Sequence, residues 1–387
     1  MQLVQPPSFQ TLPLSAQLEA IALLLGGILL LISLLDDGVR SISFGLATLT
    51  LAGVIWKRPQ VPVALIYLLH GVAVIALVSS IDWIYPTLNN GAWAKILLGL
   101  MAIEWSLSSG RSYPHWRRSA WSIGLVLAGI SYGILLPPLL GGGDRNLIWL
   151  VTPILLTGLS RLPQFGMPRL AAQLSTGALL ANLLLLSSLH TWIISLGVAT
   201  VLMLLNTLLL PGLGTAAMTI GFGLGFEASV IRQVWGDQLL GDDIALILAI
   251  NLWVLWLLRD LLARRSAPLK QFYANAANGW AIALCVLALL LLTGLSVFAY
   301  SYQEKSWQLL LGAGLVIGAI AYRIRQQPTN LGFWGLAWGV ETAVIILLTR
   351  WEGDLTTLAQ VNLGLGLASQ IAGDLWVVRS QQPYRSS

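Results

Sequence analysis

The chain has 387 residues, of which 57% are hydrophobic and 10% charged, and its mean hydropathy is +0.79. This composition excludes a soluble globular domain and predicts an integral membrane protein of the all-α class. The net charge of +5 is explained by the topology of such a protein, so we expect no nucleic-acid partner.

The first predicted elements are an N-terminal coil at 1–14 and a membrane helix after it. The coil carries no Lys or Arg and no small-residue cleavage pattern, so we expect the first helix to be retained as an anchor. Apolar runs along the rest of the chain predict a polytopic bundle of about 14 spans, because they are too long and Leu-rich for barrel strands. The spans are predicted at 15–35, 42–56, 61–80, 92–108, 120–140, 147–162, 170–189, 192–210, 214–231, 244–262, 279–300, 307–322, 331–349 and 358–378.

The basic residues are distributed unequally between the two sides of this map. Of the 21 Lys and Arg residues, 15 fall on one side, and most of the acids fall on the other. Because cytoplasmic loops are enriched in Lys and Arg, the pattern predicts that both termini are cytoplasmic. A bacterial plasma membrane and an internal membrane of the thylakoid type both fit this orientation.

Short sequence matches predict internal repeats. SFGLAT at 43–48 resembles SLGVAT at 195–200, GFGLGFEASVI at 221–231 resembles GLAWGVETAVI at 335–345, and a third match gives a consistent offset. We therefore predict three parallel four-helix repeats and a two-helix insert. The repeats are predicted at 15–118, 170–265 and 279–387, and the insert at 119–169. A connector at 266–278 is either an amphipathic helix on the inner membrane surface or a plain linker.

Two glutamates, Glu227 and Glu341, occupy the same place in the motif G-x-x-x-G-x-E-x-x-V-I. A carboxylate at membrane depth is costly unless it is protonated, paired or hydrated, and such residues often mark ion or proton paths. The glycines of the motif let a neighbouring helix approach closely. The functional interpretation is a pair of equivalent carboxylates that couples ions to transport or accepts a cationic group. The structural interpretation is a protonated acid, bonded to a nearby Ser, Asn or Trp, that serves packing.

Other polar residues within apolar spans have structural explanations as well. His70 is a lone histidine in an apolar span, which is usually a packed core residue. Asn251 and Asn362 lie in corresponding spans of two repeats, where interhelical hydrogen bonding explains them. The single cysteine, Cys285, excludes an internal disulfide and any cysteine metal cluster.

Acidic residues recur near the inner end of the fourth span of each repeat. These residues are Glu104, Asp260 and Asp374. Each is followed within a few positions by a basic residue, namely Arg111, Arg264 and Arg379. We predict that they form interfacial ion pairs or anchors.

Asp36 and Asp37 follow the first span on the outer side. Acids occupy such a place in some membrane glycosyltransferases that use lipid-linked sugars. This short cue raises the hypothesis of a transferase or polymerase, although the other repeats contain no equivalent pair.

Several segments near the C-terminus carry a resemblance to known proteins. GLAWGVE at 335–341, GDLW at 373–376 and PYRSS at 383–387 resemble segments of uncharacterised multi-span membrane proteins of cyanobacteria. The resemblance covers mainly the last fifty residues and implies no activity, so it transfers no catalytic residue.

Three functions remain open from the sequence. The first is a permease or flippase for a lipid-like or small solute, and the second is a non-catalytic structural or assembly subunit. The third is the transferase or polymerase acting on a lipid-linked sugar. The sequence identifies no catalytic residue, metal site or cofactor, and the expected partners are the lipid bilayer and other membrane proteins. Sparse polarity at mid-depth disfavours a strongly ion-coupled carrier but allows a carrier of lipids or apolar solutes.

Overall fold

The structure is a computed structural model. It describes residues 21, 25–28, 31–57, 62–109, 114–140, 147–162, 166–185, 189–264, 267–302, 306–351, 356–357, 359–361, 363–368 and 370–371. Every regular element in these ranges is a helix, as the all-α prediction requires. The chain divides into two compact units, Met1–Ala171 and Ala172–Ser387, which are called the N-terminal and C-terminal units.

Twelve α-helices form the framework of the described residues. They are α1 (Asp37–Lys57), α2 (Val63–Ile84), α3 (Asn90–Ser109), α4 (Pro114–Leu140), α5 (Val151–Ser160), α6 (Pro168–Leu185), α7 (Leu189–Leu209), α8 (Leu213–Trp235), α9 (Gly241–Ala263), α10 (Pro268–Tyr302), α11 (Trp307–Gln326) and α12 (Asn330–Arg350). Short 3₁₀ helices occur at Ser33–Leu35, Leu147–Leu150 and Gly236–Gln238.

Nine of these helices, all except α3, α5 and α6, are long and apolar enough to cross a membrane. The set fits an integral membrane protein, because a helix satisfies its own backbone hydrogen bonds in hydrocarbon. A helix lies at each of the twelve spans predicted between residues 42 and 349, but α5 has only 10 residues. The predicted spans at 15–35 and 358–378 lie partly outside the described residues, so the number of about 14 stays a prediction.

The connector predicted at 266–278 is helical from Pro268 onward. Helix α10 begins at Pro268 and continues without a break through 35 residues to Tyr302. At 1.5 Å per residue it is about 52 Å long, whereas the hydrocarbon core of a bilayer is about 30 Å thick. The connector and the predicted span at 279–300 are therefore one rod that is longer than the membrane core.

The N-terminal unit consists of helical hairpins. Helices α1 and α2 pack through Phe44, Val72 and Ala76, and α3 packs against α4. Trp105 of α3 is 1% exposed and stacks on Trp121 of α4 with ring centroids 5.5 Å apart. A Cβ on the facing Gly124 would lie 2.4 Å from the Trp105 Nε1 atom, so this helix pair needs glycine there.

The core of the C-terminal unit surrounds α10, which packs against α8, α9, α11 and α12. Helices α9 and α11 run in the same direction, because α10 returns the chain between them. Small residues line their contact: Ala245 and Ala249 are 0% exposed and Ala313 is 1% exposed. Short side chains allow close backbone approach, which replaces the hydrophobic driving force that helices lack within lipid.

Three tryptophan indoles connect helices of this core through hydrogen bonds. Trp280 of α10 donates to the Ala217 carbonyl of α8 at 2.8 Å. Trp253 of α9 donates to the Leu315 carbonyl of α11 at 2.9 Å, and Trp338 of α12 donates to Thr293 Oγ1 of α10 at 2.8 Å. Each indole thus satisfies its N–H inside the bundle while its ring fills space between helices.

Candidate functional site

The first intramembrane carboxylate, Glu227, is paired. Asn251 of α9 donates a hydrogen bond from Nδ2 to Glu227 Oε1 of α8 at 2.9 Å, and both side chains are half-buried. The bond joins two neighbouring helices, which is the interhelical role predicted for Asn251. The structural interpretation of Glu227 predicts a bond to a nearby Ser, Asn or Trp, and this contact with Asn251 is of that kind.

A cleft of about 570 Å³ opens beside this pair, and Asn251 is part of its wall. Its lining comes from α8, α9, the segment between them and Leu284 of α10. Two of the lining side chains are polar, Arg232 and Asn251, and the others are aliphatic apart from Gly236. The cleft therefore combines an apolar wall with one cationic group and one amide.

The local sequence explains how the cleft is shaped. Helix α8 stops at Gly236, whose φ of 55° is accessible to glycine at little cost. Arg232 lies in the last turn of α8, where a cation is favoured by the helix dipole. Helix α9 then begins at Gly241, and Asp243 Oδ2 accepts from the Leu240 N–H at 3.2 Å. This capped start directs α9 back along α8.

The first glycine of the Glu227 motif faces α10. A Cβ on Gly221 would lie 2.6 Å from the Trp280 ring, so the glycine makes room for that indole. Gly225 faces Leu196 of α7 instead, where a Cβ would meet ordinary contacts at 3.5 Å. The two glycines of this motif therefore face two different helices, α10 and α7.

Glu341 has a different environment from Glu227. Its side chain is exposed on α12, whereas that of Glu227 is half-buried. The neighbouring Gly339 faces Ile317 of α11, with an added Cβ at 3.0 Å. Asn362, which the predicted repeat places in the span corresponding to that of Asn251, lies outside the described residues. The two motif glutamates are thus not in equivalent surroundings within the described part of the chain.

Asp260 joins the ends of α9 and α11 through a network of charged and polar groups. Its Oδ1 atom accepts from Arg259 Nη1 at 2.6 Å, so the ion pair forms with Arg259 and not with the expected Arg264. Its Oδ2 atom accepts from the Tyr322 hydroxyl and from Gln326 Nε2, each at 2.6 Å. Both members of the ion pair are largely buried, at 17% exposure for the Arg259 side chain and 15% for Asp260.

Asp36 and Asp37 have structural tasks at the start of α1. Asp36 Oδ1 accepts from the Val39 N–H at 2.9 Å, which satisfies one of the free donors at a helix N-terminus. Asp37 Oδ1 lies 3.0 Å from Arg40 Nη2. The same Arg40 atom lies 2.8 Å from Asp82 Oδ2 at the end of α2. This arrangement gives no support to a catalytic role for the two acids.

A second cleft, of about 560 Å³, lies in the N-terminal unit and includes the Arg40–Asp82 pair in its lining. Aliphatic side chains of α2, α3 and α4 and the indole of Trp93 supply most of the remaining wall. Each unit therefore contains an apolar cleft that is bordered by an arginine.

The remaining candidates are separate from these clefts. The imidazole of His70 packs edge-on against Trp116 with centroids 4.9 Å apart, and its Nδ1 atom is buried without a hydrogen bond among the described residues. Glu104 is half-buried on α3, and its Oε2 atom also lacks a partner among the described residues. Arg111, its expected partner, and Asp374 lie outside the described residues.

The letters G-x-S-x-G, typical of a hydrolase nucleophile elbow, occur at GISYG, residues 129–133. The motif requires a sharp turn between a strand and a helix, but Ser131 lies in the middle of α4. Its side chain is 0% exposed and donates to the Ala94 carbonyl at 3.1 Å. Ser131 is therefore a helix-packing residue.

Sequence reasoning missed two parts of these sites. It did not assign Arg232 to a cleft, because neighbouring helix ends form that wall only after folding. It also missed Tyr322 and Gln326 as partners of Asp260. Their spacing of four residues, which places them on one face of a helix, was the available signal.

Together, the long apolar helices fit an integral membrane protein, and each unit contains an apolar cleft bordered by an arginine. No protein-family model, curated protein or solved structure matches the chain.

Proposed function

We propose that the protein is a permease or flippase for a lipid-like or other small amphiphilic solute. The cleft bordered by Arg232 and Asn251 carries this proposal. Its volume of about 570 Å³ is within the range of sites that take small ligands, about 300–1,000 Å³. The aliphatic wall suits a hydrocarbon chain, and the guanidinium of Arg232 suits an anionic or strongly polar head.

The hydrogen bond between Glu227 and Asn251 is the candidate gate for this solute. It joins α8 and α9, the two helices that supply most of the cleft wall. A carboxylate accepts a stronger hydrogen bond than a neutral carboxyl group does. Protonation of Glu227 would therefore weaken the link and let the helices separate, which couples a proton to movement of the solute.

The predicted three-repeat organisation, with about 14 spans, belongs to the same proposal. Parallel repeats related by an axis along the membrane normal are a common construction of transporters. We also propose that both termini are cytoplasmic, on the basis of the Lys and Arg distribution. The membrane is then a bacterial plasma membrane or, as the resemblance to cyanobacterial proteins suggests, an internal membrane of the thylakoid type.

Reconstitution into liposomes tests the proposed transport. Fluorescently labelled phospholipid on the inner leaflet becomes accessible to a membrane-impermeant quencher only after it crosses the bilayer. We expect the wild-type protein to speed this crossing and Arg232→Gln to slow the protein-dependent rate about tenfold, because a charge-assisted hydrogen bond is lost. Glu227→Gln should remove any dependence of the rate on a pH gradient.

Glu341→Gln is the matched control, since it makes the same change at an exposed position. A rate equal to that of protein-free liposomes for the wild type would contradict the transport proposal. Equal rates for wild type and Arg232→Gln would remove this cleft from the pathway.

A structural or assembly subunit is the second candidate, favoured by the exposure of large aromatic side chains. Trp56 is 92% exposed, Trp334 75% and Trp351 70%. Exposed aromatic rings are typical of lipid interfaces and of contacts with other proteins. Gentle purification followed by mass spectrometry tests this alternative: stable recovery within a larger complex, together with no lipid movement, would favour it.

A further inference from the structure

The ends of α9 and α11 carry more positive than negative charge. Arg259 and Arg264 belong to the end of α9, and Arg323 belongs to the last turn of α11. Arg323 experiences repulsion from Arg259 and attraction from Asp260, and Arg264 acts on the neighbouring Tyr322. Two of these arginines, Arg259 and Arg323, therefore interact electrostatically with Asp260, while Arg264 lies near Tyr322, which donates to Asp260.

The carboxylate of Asp260 is already occupied by other donors. It accepts from Arg259, from the Tyr322 hydroxyl and from the Gln326 amide, each at 2.6 Å. The carboxylate is also oriented by these three bonds toward Arg259 and α11. Arg259 is the only one of the three arginines that it pairs with in the described part of the chain.

The guanidinium of Arg323 has an unused donor. Its Nη2 atom donates to Gln327 Oε1 at 2.6 Å. Its Nη1 atom is buried and has no hydrogen-bond partner among the described residues. A buried donor without an acceptor is costly, so this atom calls for an anion or another acceptor.

Arg264 lies beside an exposed apolar stripe on α9. Leu257 is 52% exposed and Leu261 is 64% exposed, and these residues precede Arg264 at helical spacings of seven and three positions. The three side chains therefore fall on one face of the helix and its end. The acyl chain of a lipid can therefore pack along this face while its charged headgroup lies at Arg264.

We propose that Arg323 and Arg264 bind a phosphate group at the ends of α9 and α11, carried by the headgroup of an anionic phospholipid. The planar guanidinium matches phosphate oxygens through paired hydrogen bonds. Basic pockets between membrane helices on the cytoplasmic side are known to take such headgroups, and the charge map predicts this side for the site. The proposal is independent of the transport function, since it concerns a different end of α9.

The test is lipid preference of the full-length protein in vesicles of phosphatidylcholine that contain spin-labelled phosphatidylglycerol or spin-labelled phosphatidylcholine. Electron paramagnetic resonance measures the fraction of each label that the protein immobilises. We expect the wild type to prefer phosphatidylglycerol, and both Arg323→Gln and Arg264→Gln to lower the association constant of the preferred site about tenfold. Arg325→Gln, an exposed arginine two positions along α11, should keep the wild-type preference.

Two further arms complete the experiment. Arg323→Lys keeps the charge but removes the planar fork, so we expect a preference between those of the wild type and Arg323→Gln. Because Arg264 is exposed at the end of its helix, Arg264→Gln remains informative if Arg323→Gln fails to fold. Inorganic phosphate added to the vesicles distinguishes a soluble anion from a lipid.

If millimolar phosphate leaves the preference intact, the headgroup assignment is supported. If millimolar phosphate abolishes the preference of the wild type, the site favours a soluble anion over the headgroup and the lipid assignment is wrong. A preference that is unchanged in both glutamine variants overturns the proposed site altogether.

Discussion

Asn251 and Glu227 form a hydrogen bond of 2.9 Å that joins α8 to α9 at the wall of an apolar cleft. Both side chains are half-buried, so water can satisfy their polar atoms only in part, and the bond between them supplies a partner. The polar pair thus links two helices that each pack against α10.

The first prediction concerns this pair. Asn251→Leu removes the donor and leaves the Glu227 carboxylate beside an apolar side chain, so we expect a loss of about 1–2 kcal/mol in the free energy of unfolding. Glu227→Gln keeps an acceptor and should cost less. Unfolding titrations in mixed detergent micelles measure both. The double variant Glu227→Leu with Asn251→Leu should lose less unfolding free energy than the sum of the losses in the Glu227→Leu and Asn251→Leu single variants. Full additivity would show that the bond contributes nothing to stability.

The second prediction uses two glycines of the same helix. Gly221→Ala would place its Cβ 2.6 Å from the Trp280 ring, which is held by a hydrogen bond to the Ala217 carbonyl. We expect a loss of about 1–3 kcal/mol, typical of overpacking. Gly223→Ala is the control, because its nearest neighbour would be Thr200 Cγ2 at 3.8 Å. The control should be neutral or stabilising, since alanine favours a helix; equal effects at both positions would mean that Trp280 moves freely.

The third prediction concerns the network at the ends of α9 and α11. Asp260→Ala removes the acceptor of Arg259, Tyr322 and Gln326 at once, so we expect a loss of about 2 kcal/mol in stability. Tyr322→Phe removes one donor only and should have a smaller effect. Arg325→Gln serves as the surface control, expected within about 0.5 kcal/mol of wild type. A neutral Asp260→Ala would show that the network does not hold the helix ends together.

The fourth prediction is the orientation in the membrane. In a Cys285→Ser background, cysteines introduced as Arg118→Cys and Gln238→Cys probe two exposed positions that the charge pattern places on opposite sides. A membrane-impermeant maleimide added to intact cells or right-side-out vesicles should label position 238 at once and position 118 only after permeabilisation. The reverse labelling pattern would show that the termini are on the outer side. Immediate labelling of both positions would contradict the odd number of spans predicted between them.

Much of the helical framework could be predicted from apolar runs, because the bilayer imposes a length on every crossing helix. The boundary at 278 could not. Asn278 and Gly279 are typical of a break, yet α10 continues through them. The neighbouring Ala274, Ala276, Ala277 and Ala281 are 0–5% exposed, so tertiary packing of this face overrides the weak local propensity.

The partners of Asp260 could not be predicted for a similar reason. Arg264 lies one helical turn away and was the natural choice along the chain. The structure instead pairs Asp260 with Arg259, while Tyr322 and Gln326 approach from α11. Those two donors lie 62 and 66 residues further along the chain, and no spacing rule for a single helix reaches that distance.

The length of α10 has a mechanical consequence. An uninterrupted helix is stiff along its axis, and α10 is in contact with four other helices of the C-terminal unit. Near its beginning, Tyr273 donates to Thr219 of α8 at 3.3 Å, whereas Thr293 accepts from Trp338 of α12 two-thirds of the way along. A displacement of the polar first turns would therefore be transmitted along the stiff helix and would tilt its far end against α12. No signal would have to pass through the surrounding lipid.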